Sequence, residues 1–133
     1  MKNEIVKTEK VKIGGREFTL GFTLRALIRM QNRIEGFNFN EIDRFVASPE
    51  GLVTTLYVLA ENGAKLEGKT LDVDQDWFEL HIPANRKKMM EITIAIMNTL
   101  TYGMAMETEE DEEHGKEVDV VLEEIQKKSG KTD

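Results

Sequence analysis

A mainly α-helical fold with an N-terminal β-hairpin (α+β) is predicted by three observations. Alternating apolar residues flank a Gly14-Gly15 pair, four or five segments of helical periodicity follow with capping or glycine signals, and beyond Met106 acids replace the apolar residues. The 133 residues therefore divide into a hairpin-plus-helices body, 1–106, and an acidic C-terminal tail, 107–133. With 40% apolar residues, the body can fill one core and little more.

Residues 1–10 alternate charge and offer only Ile5 and Val6 as anchors, the composition of a mobile arm. Val11-Lys12-Ile13 and 16–22 then alternate about the glycine pair, which tolerates positive φ, and place Phe18, Leu20 and Phe22 on one face. A lone hairpin is marginal in water, so this face is expected to lie on helices or to pair with another chain. Thr23 is the expected N-cap of a helix over 24–35, with Leu24, Leu27, Ile28 and Ile34 on its buried side and Gly36 as its stop. The opposite side carries Arg25, Arg29 and Arg33 at four-residue spacing. That stripe is either a solvated face or a dock for an acidic segment.

Asn40 is the expected cap of a short helix through Ile42, Phe45 and Val46, with Phe37 and Phe39 folding back onto the core. Ser48-Pro49 has the form of an N-cap followed by an N1 proline, opening a helix with Leu52, Val53, Leu56, Tyr57, Leu59 and Ala60 that stops at Gly63. Asp72 or Asp74 can cap one or two turns containing Trp77, Phe78 and Leu80, ending before Pro83. The longest predicted helix follows, to Met106. Met89, Thr93, Ile96, Met97, Leu100 and Met104 share one face, Ile92 and Ile94 lie on its flanks, and only Glu91, Asn98 and Thr101 form a polar strip. It is expected to be the buried central post, with Gly103 as its stop. Lys87 and Lys88 near its start oppose the helix dipole, which marks them as solvated or held by a partner.

The tail holds 11 acids and 4 bases, which leaves 14 of each in the body. A neutral body argues against general nucleic-acid binding, which needs a basic surface. Residues 107–117 contain seven acids, one lysine and no apolar residue, so a flexible linker is expected there. Val118, Val121, Leu122 and Ile125 then recur at helical spacing, with acids early and Lys127 and Lys128 late. Such a helix is too short to persist alone and is expected to form only when docked. Cysteine is absent, which excludes disulfides and thiol nucleophiles and suits an intracellular protein. No apolar run approaches the ~20 residues that cross a bilayer.

Chemical motifs are sparse. Residues 63–70, Gly-Ala-Lys-Leu-Glu-Gly-Lys-Thr, match the phosphate-loop pattern letter for letter. The motif needs a strand before it and a helix at once after it; here a helix precedes and three aspartates follow. Asp72, Asp74 and Asp76 open like a calcium loop, but Trp77 stands where glycine belongs and Pro83 where the closing glutamate belongs. His81 and His114 lack neighbours at ligand spacing, and no serine sits in a nucleophile motif. A non-enzymatic protein without metal or cofactor is expected.

The run 13–23, Ile-Gly-Gly-Arg-Glu-Phe-Thr-Leu-Gly-Phe-Thr, followed by Ala26-Leu27 and a helix closing at Gly36, resembles the opening of the tail assembly chaperones of long-tailed (siphovirus-type) bacteriophages and prophages. The helix over 52–63, with Leu56-Tyr57-Val58-Leu59-Ala60, resembles that family's next helix, and the element order agrees over about 100 residues, to Met106. These features are turn glycines and hydrophobic spacing, not catalytic signatures. The resemblance implies a chaperone that binds the helical tape measure protein, helps to recruit tail tube subunits and is absent from the mature virion, acting in the bacterial host cytoplasm. It also frames Met89, Met90, Met97, Met104 and Met106 as adaptable contacts for helical partners, although ordinary core filling is the alternative for all of them and the preferred reading for Met97. Self-association is expected through the Phe18, Leu20, Phe22 face or the exposed part of the long helix. The candidate partner-binding residues are thus Phe18, Leu20, Phe22, Arg25, Arg29, Arg33, Met104, Val118, Val121, Leu122 and Ile125. The alternative is a small acidic binding module, such as an inhibitor of a nuclease or of a DNA-binding protein, whose Glu109, Glu110, Asp111, Glu112 and Glu113 mimic DNA.

Overall fold

A computed structural model describes residues 6–105, with the side chains of 6–103. The tail, with Val118, Val121, Leu122 and Ile125, lies outside the described residues, as does the side chain of Met104. The body is an antiparallel hairpin, β1 (Glu9–Ile13) and β2 (Arg16–Leu20), followed by five helices: α1 (Leu24–Arg33), α2 (Ile42–Ala47), α3 (Pro49–Leu66), α4 (Gln75–His81) and α5 (Arg86–Ala105). Gly14 and Gly15 turn the hairpin with φ of 61° and 79°, values costly for any residue with a Cβ. Val11 pairs with Phe18 and Ile13 with Arg16, so Val11, Ile13, Phe18 and Leu20 all point to the core side. The hairpin lies on its own helices.

The central post is α3 rather than α5. Of its residues, Leu52, Val53, Thr54, Thr55, Leu56, Val58, Leu59, Ala60, Asn62 and Gly63 are all buried, because β2, α1, α2, α4 and α5 surround it. The expected start is present: Ser48 Oγ accepts the Gly51 N–H at 3.1 Å and Pro49 holds the first turn. The expected stop is not. Gly63 sits inside the helix, which runs on to Leu66, because a Cβ there would fall on the Thr19 carbonyl oxygen of β2. The glycine is spent on helix–strand contact, and Gly68, with φ of 75°, makes the turn instead.

On α5, Ile92, Ala95, Ile96, Thr99 and Leu100 form the buried side, against β1 and α3. Gly103 does not end this helix. It leaves room for Phe22, whose side chain and carbonyl oxygen a Cβ there would meet, so the last turn of α5 lies close to the start of α1. Lys87 is exposed, whereas Lys88 is held within the chain, by the Lys12 carbonyl at 2.6 Å and the Glu91 carboxylate at 3.3 Å. The cap of the segment after α1 is Asn38, whose side chain accepts the Asn40 N–H, and not Asn40. Phe37 and Phe39 do fold back, Phe39 stacking on Phe22 at 5.7 Å. Asp74 caps α4 through the Trp77 N–H at 2.9 Å, and Asp72 serves elsewhere.

One polar atom in the post lacks a partner. Thr55 Oγ1 is fully buried and makes no hydrogen bond with the described residues. Burying a hydroxyl without a partner costs about 1–3 kcal/mol, whereas valine fills almost the same shape without that cost. Thr55→Val is therefore expected to raise stability by about 1 kcal/mol, read as a higher denaturant midpoint at unchanged slope.

Candidate functional site

The most informative surface is the outer side of α1. Its orientation is fixed before the helix begins. The Gly21 N–H donates to the Leu59 carbonyl at 3.1 Å, and buried Asn62 on α3 donates through Nδ2 to the Gly21 carbonyl at 3.1 Å and to Thr23 Oγ1 at 3.0 Å. Thr23 occupies the N-cap position, yet its hydroxyl is committed to Asn62 instead of capping the helix. This clamp turns Ala26 and Met30 onto α3, where both are fully buried. The expected face is thereby overturned: Leu24 is 70% exposed and Ile28 44%.

The arginines consequently flank the buried side instead of opposing it. Arg33 Nη1 donates to Gln75 Oε1 at 3.1 Å, and its guanidinium lies 4.8 Å from the centre of the Tyr57 ring, so it ties α1 to α3 and α4. Gln75 in turn donates to Thr54 Oγ1 at 3.1 Å. Arg25 and Arg29 are half-buried. Arg25 Nη1 is buried outright and has no hydrogen-bond partner among the described residues, an expensive condition for a guanidinium N–H. Arg33 is thus structural, while Arg25 and Arg29 form no ion pair among the described residues.

Phe18 and Leu20, expected in a partner-binding face, are core residues. They are 5% and 0% exposed, and the Phe18 ring meets Phe78 edge-on at 5.0 Å. Phe22 is half-buried between Phe39 and the last turn of α5. What α5 does display is Met90, 54% exposed, and Ile94, 53%, one helical turn apart. A separate open groove of about 530 Å³ lies between the start of α3, α4 and the start of α5, lined by Leu52, Val53, Ile82 and Met89 together with Glu50 and Glu79.

The phosphate-loop look-alike spans the end of α3 and the turn after it. No strand leads into it, and its ammonium faces a carboxylate: Lys69 Nζ lies 3.8 Å from Glu67 Oε1. Glu67 is a local hub that also accepts the Thr19 hydroxyl at 2.8 Å and faces Lys10 at 3.6 Å. Asp72 accepts Arg16 at 2.7 Å. Among the described residues no three acids, histidines or cysteines gather to hold a metal, and no described helix is long and apolar enough to cross a membrane.

These pairings shift titration. The Thr19 hydrogen bond first, and then Lys10 and Lys69, hold the Glu67 carboxyl below its ordinary value against the opposing effect of burial. The Arg16 hydrogen bond and charge do the same for Asp72, again against burial. Carboxylates depressed in the folded state add stability that is fully present above the ordinary range of about 4 and is lost as pH falls through the lower folded values. Thermal midpoints are therefore expected to drop on acidification below about pH 4.5, and less steeply in Glu67→Gln than in the parent. Equal slopes for the two proteins would show that Glu67 contributes nothing.

Comparison with protein-family models, with characterised proteins and with solved structures gives no match for the chain.

Proposed function

We propose that this protein is a non-enzymatic phage tail assembly chaperone that binds the helical tape measure protein and helps to recruit tail tube subunits in the bacterial cytoplasm, without joining the finished virion. One observation carries the reading on this side of the resemblance: large aliphatic side chains, Leu24 and Ile28 on α1 and Met90 and Ile94 on α5, stand out in solvent from well-packed helices. Pairs at i, i+4 spacing suit the apolar stripe of another helix. Each contact is small, so hold and release along a long client would come from many weak copies. Met90 adds a side chain that adapts to unlike partners. The same outer side of α5 would serve self-association between neighbouring copies.

Co-expression with a tape measure protein from the same phage type tests this. The client is expected to remain in the soluble fraction with the parent chain and to precipitate with the Leu24→Gln/Ile28→Gln or Met90→Gln/Ile94→Gln double variants. Because these side chains are exposed, each substitution should change body stability by no more than about 0.5 kcal/mol. A client that neither binds the chain nor gains solubility from it would end the proposal.

A further inference from the structure

We infer that the Leu24, Arg25, Ile28, Arg29 surface of α1 is a docking site for residues 117–125 of the same chain. Four observations converge on it, and none depends on a phage client. First, the surface is apolar where Leu24 and Ile28 project and cationic beside them, with Arg25 Nη1 buried and unpartnered among the described residues. Second, the chain leaves the described body next to it: the last turn of α5 packs at Gly103 against Phe22, three residues before Arg25. Third, the sequence that follows carries the entire net charge of −7. Fourth, its first apolar residues repeat the pattern of α1 with the charge reversed.

That fourth point fixes the occupant. On α1, aliphatic residues at positions 24 and 28 are each followed by an arginine; in the tail, Val118 and Leu122 are each followed by an acid, Asp119 and Glu123. Facing helices set antiparallel bring such flanks to the same side, which pairs Arg25 and Arg29 with Glu123 and Asp119 while Val118, Leu122 and Ile125 meet Ile28 and Leu24. Parallel helices would place the charges on opposite sides. The reach is sufficient: the 11 residues of 107–117 can extend about 36 Å, against about 15 Å for the length of α1. Acids along that span add long-range attraction, which falls with salt over a Debye length of roughly 8 Å at physiological ionic strength. The docked segment covers Leu24 and Ile28, so it competes with any other ligand of that surface.

The absence of cysteine makes the test direct. A nitroxide on Gln126→Cys in the full chain is expected to broaden the amide signals of α1 and spare those of α4. Adding Asp119→Lys/Glu123→Lys, which leaves the body untouched, should restore the α1 signals, as should Leu24→Glu/Ile28→Glu. A label that leaves α1 unbroadened overturns the inference. So does broadening that survives both double variants, or broadening that vanishes when labelled chains are diluted with unlabelled ones, because docking would then be between copies. None of these outcomes bears on client solubility, so the chaperone reading stands or falls separately.

Discussion

Gly63→Ala is expected to destabilise the body by at least about 2 kcal/mol, although alanine is the better helix former. In a helix interior the exchange gains about 1 kcal/mol from propensity. Against that stands the Thr19 carbonyl of β2, which the new methyl would overlap at both oxygen and carbon. Neither atom can swing aside like a side chain, since both belong to backbone. Overpacking of a close-packed interior usually costs about 1–3 kcal/mol and more where backbone must move. Here β2 would have to lift away from α3, stretching the Gly21 to Leu59 hydrogen bond and loosening Leu20. Denaturant unfolding measures the outcome; a midpoint at or above that of the parent would show that the helix–strand contact is slack.

Phe78→Ala carries the second large effect, about 3–5 kcal/mol. Phe78 is fully buried, with Phe18 at 5.0 Å, Trp77 at 5.5 Å and Tyr57 at 6.3 Å from its ring centre. It is the one buried residue of α4, a helix of seven residues that cannot persist without packing. Its removal therefore opens a cavity and also releases α4 from β2 and α3. For a domain whose whole stability is about 5–15 kcal/mol, the loss is about a fifth or more. Leu80 on the same helix is largely exposed, so Leu80→Ala should change stability by no more than about 0.5 kcal/mol. Comparable losses at both positions would mean that α4 is held by something other than its aromatic anchor.

Local chemistry made much of the fold legible. The paired glycines of the hairpin, the Ser48-Pro49 start of α3 and the Asp74 cap each act within a few residues, and each is found where its residue type demanded. Errors arose where distant residues decide. Leu24, Leu27, Ile28 and Ile34 form the stronger apolar stripe of α1, yet Ala26 and Met30 are buried, because Asn62, some 40 residues away, clamps Gly21 and Thr23 and so sets the rotation of the helix. Gly63 resembled a stop because a glycine's freedom and a glycine's smallness look identical in a sequence. The choice of α5 as post failed for a related reason: hydropathy ranked it highly, but enclosure depends on how many neighbours an element has. For the site, the arginine spacing was visible, whereas the division of labour between Arg33 and the other two required Gln75 and Tyr57 to be in place.

The packing of α5 on β1 has a consequence for synthesis. The first described strand and the last described helix pack directly on one another in the core, so the hairpin emerges from the ribosome long before the helix that closes over it. Until the codons of α5 have been read and its residues have cleared the exit tunnel, Ile13 and Val11 have no α5 to cover them. A nascent chain of this topology completes its core late, and stalling within 86–105 would leave Val11 and Ile13 of β1 uncovered beside other emerging chains.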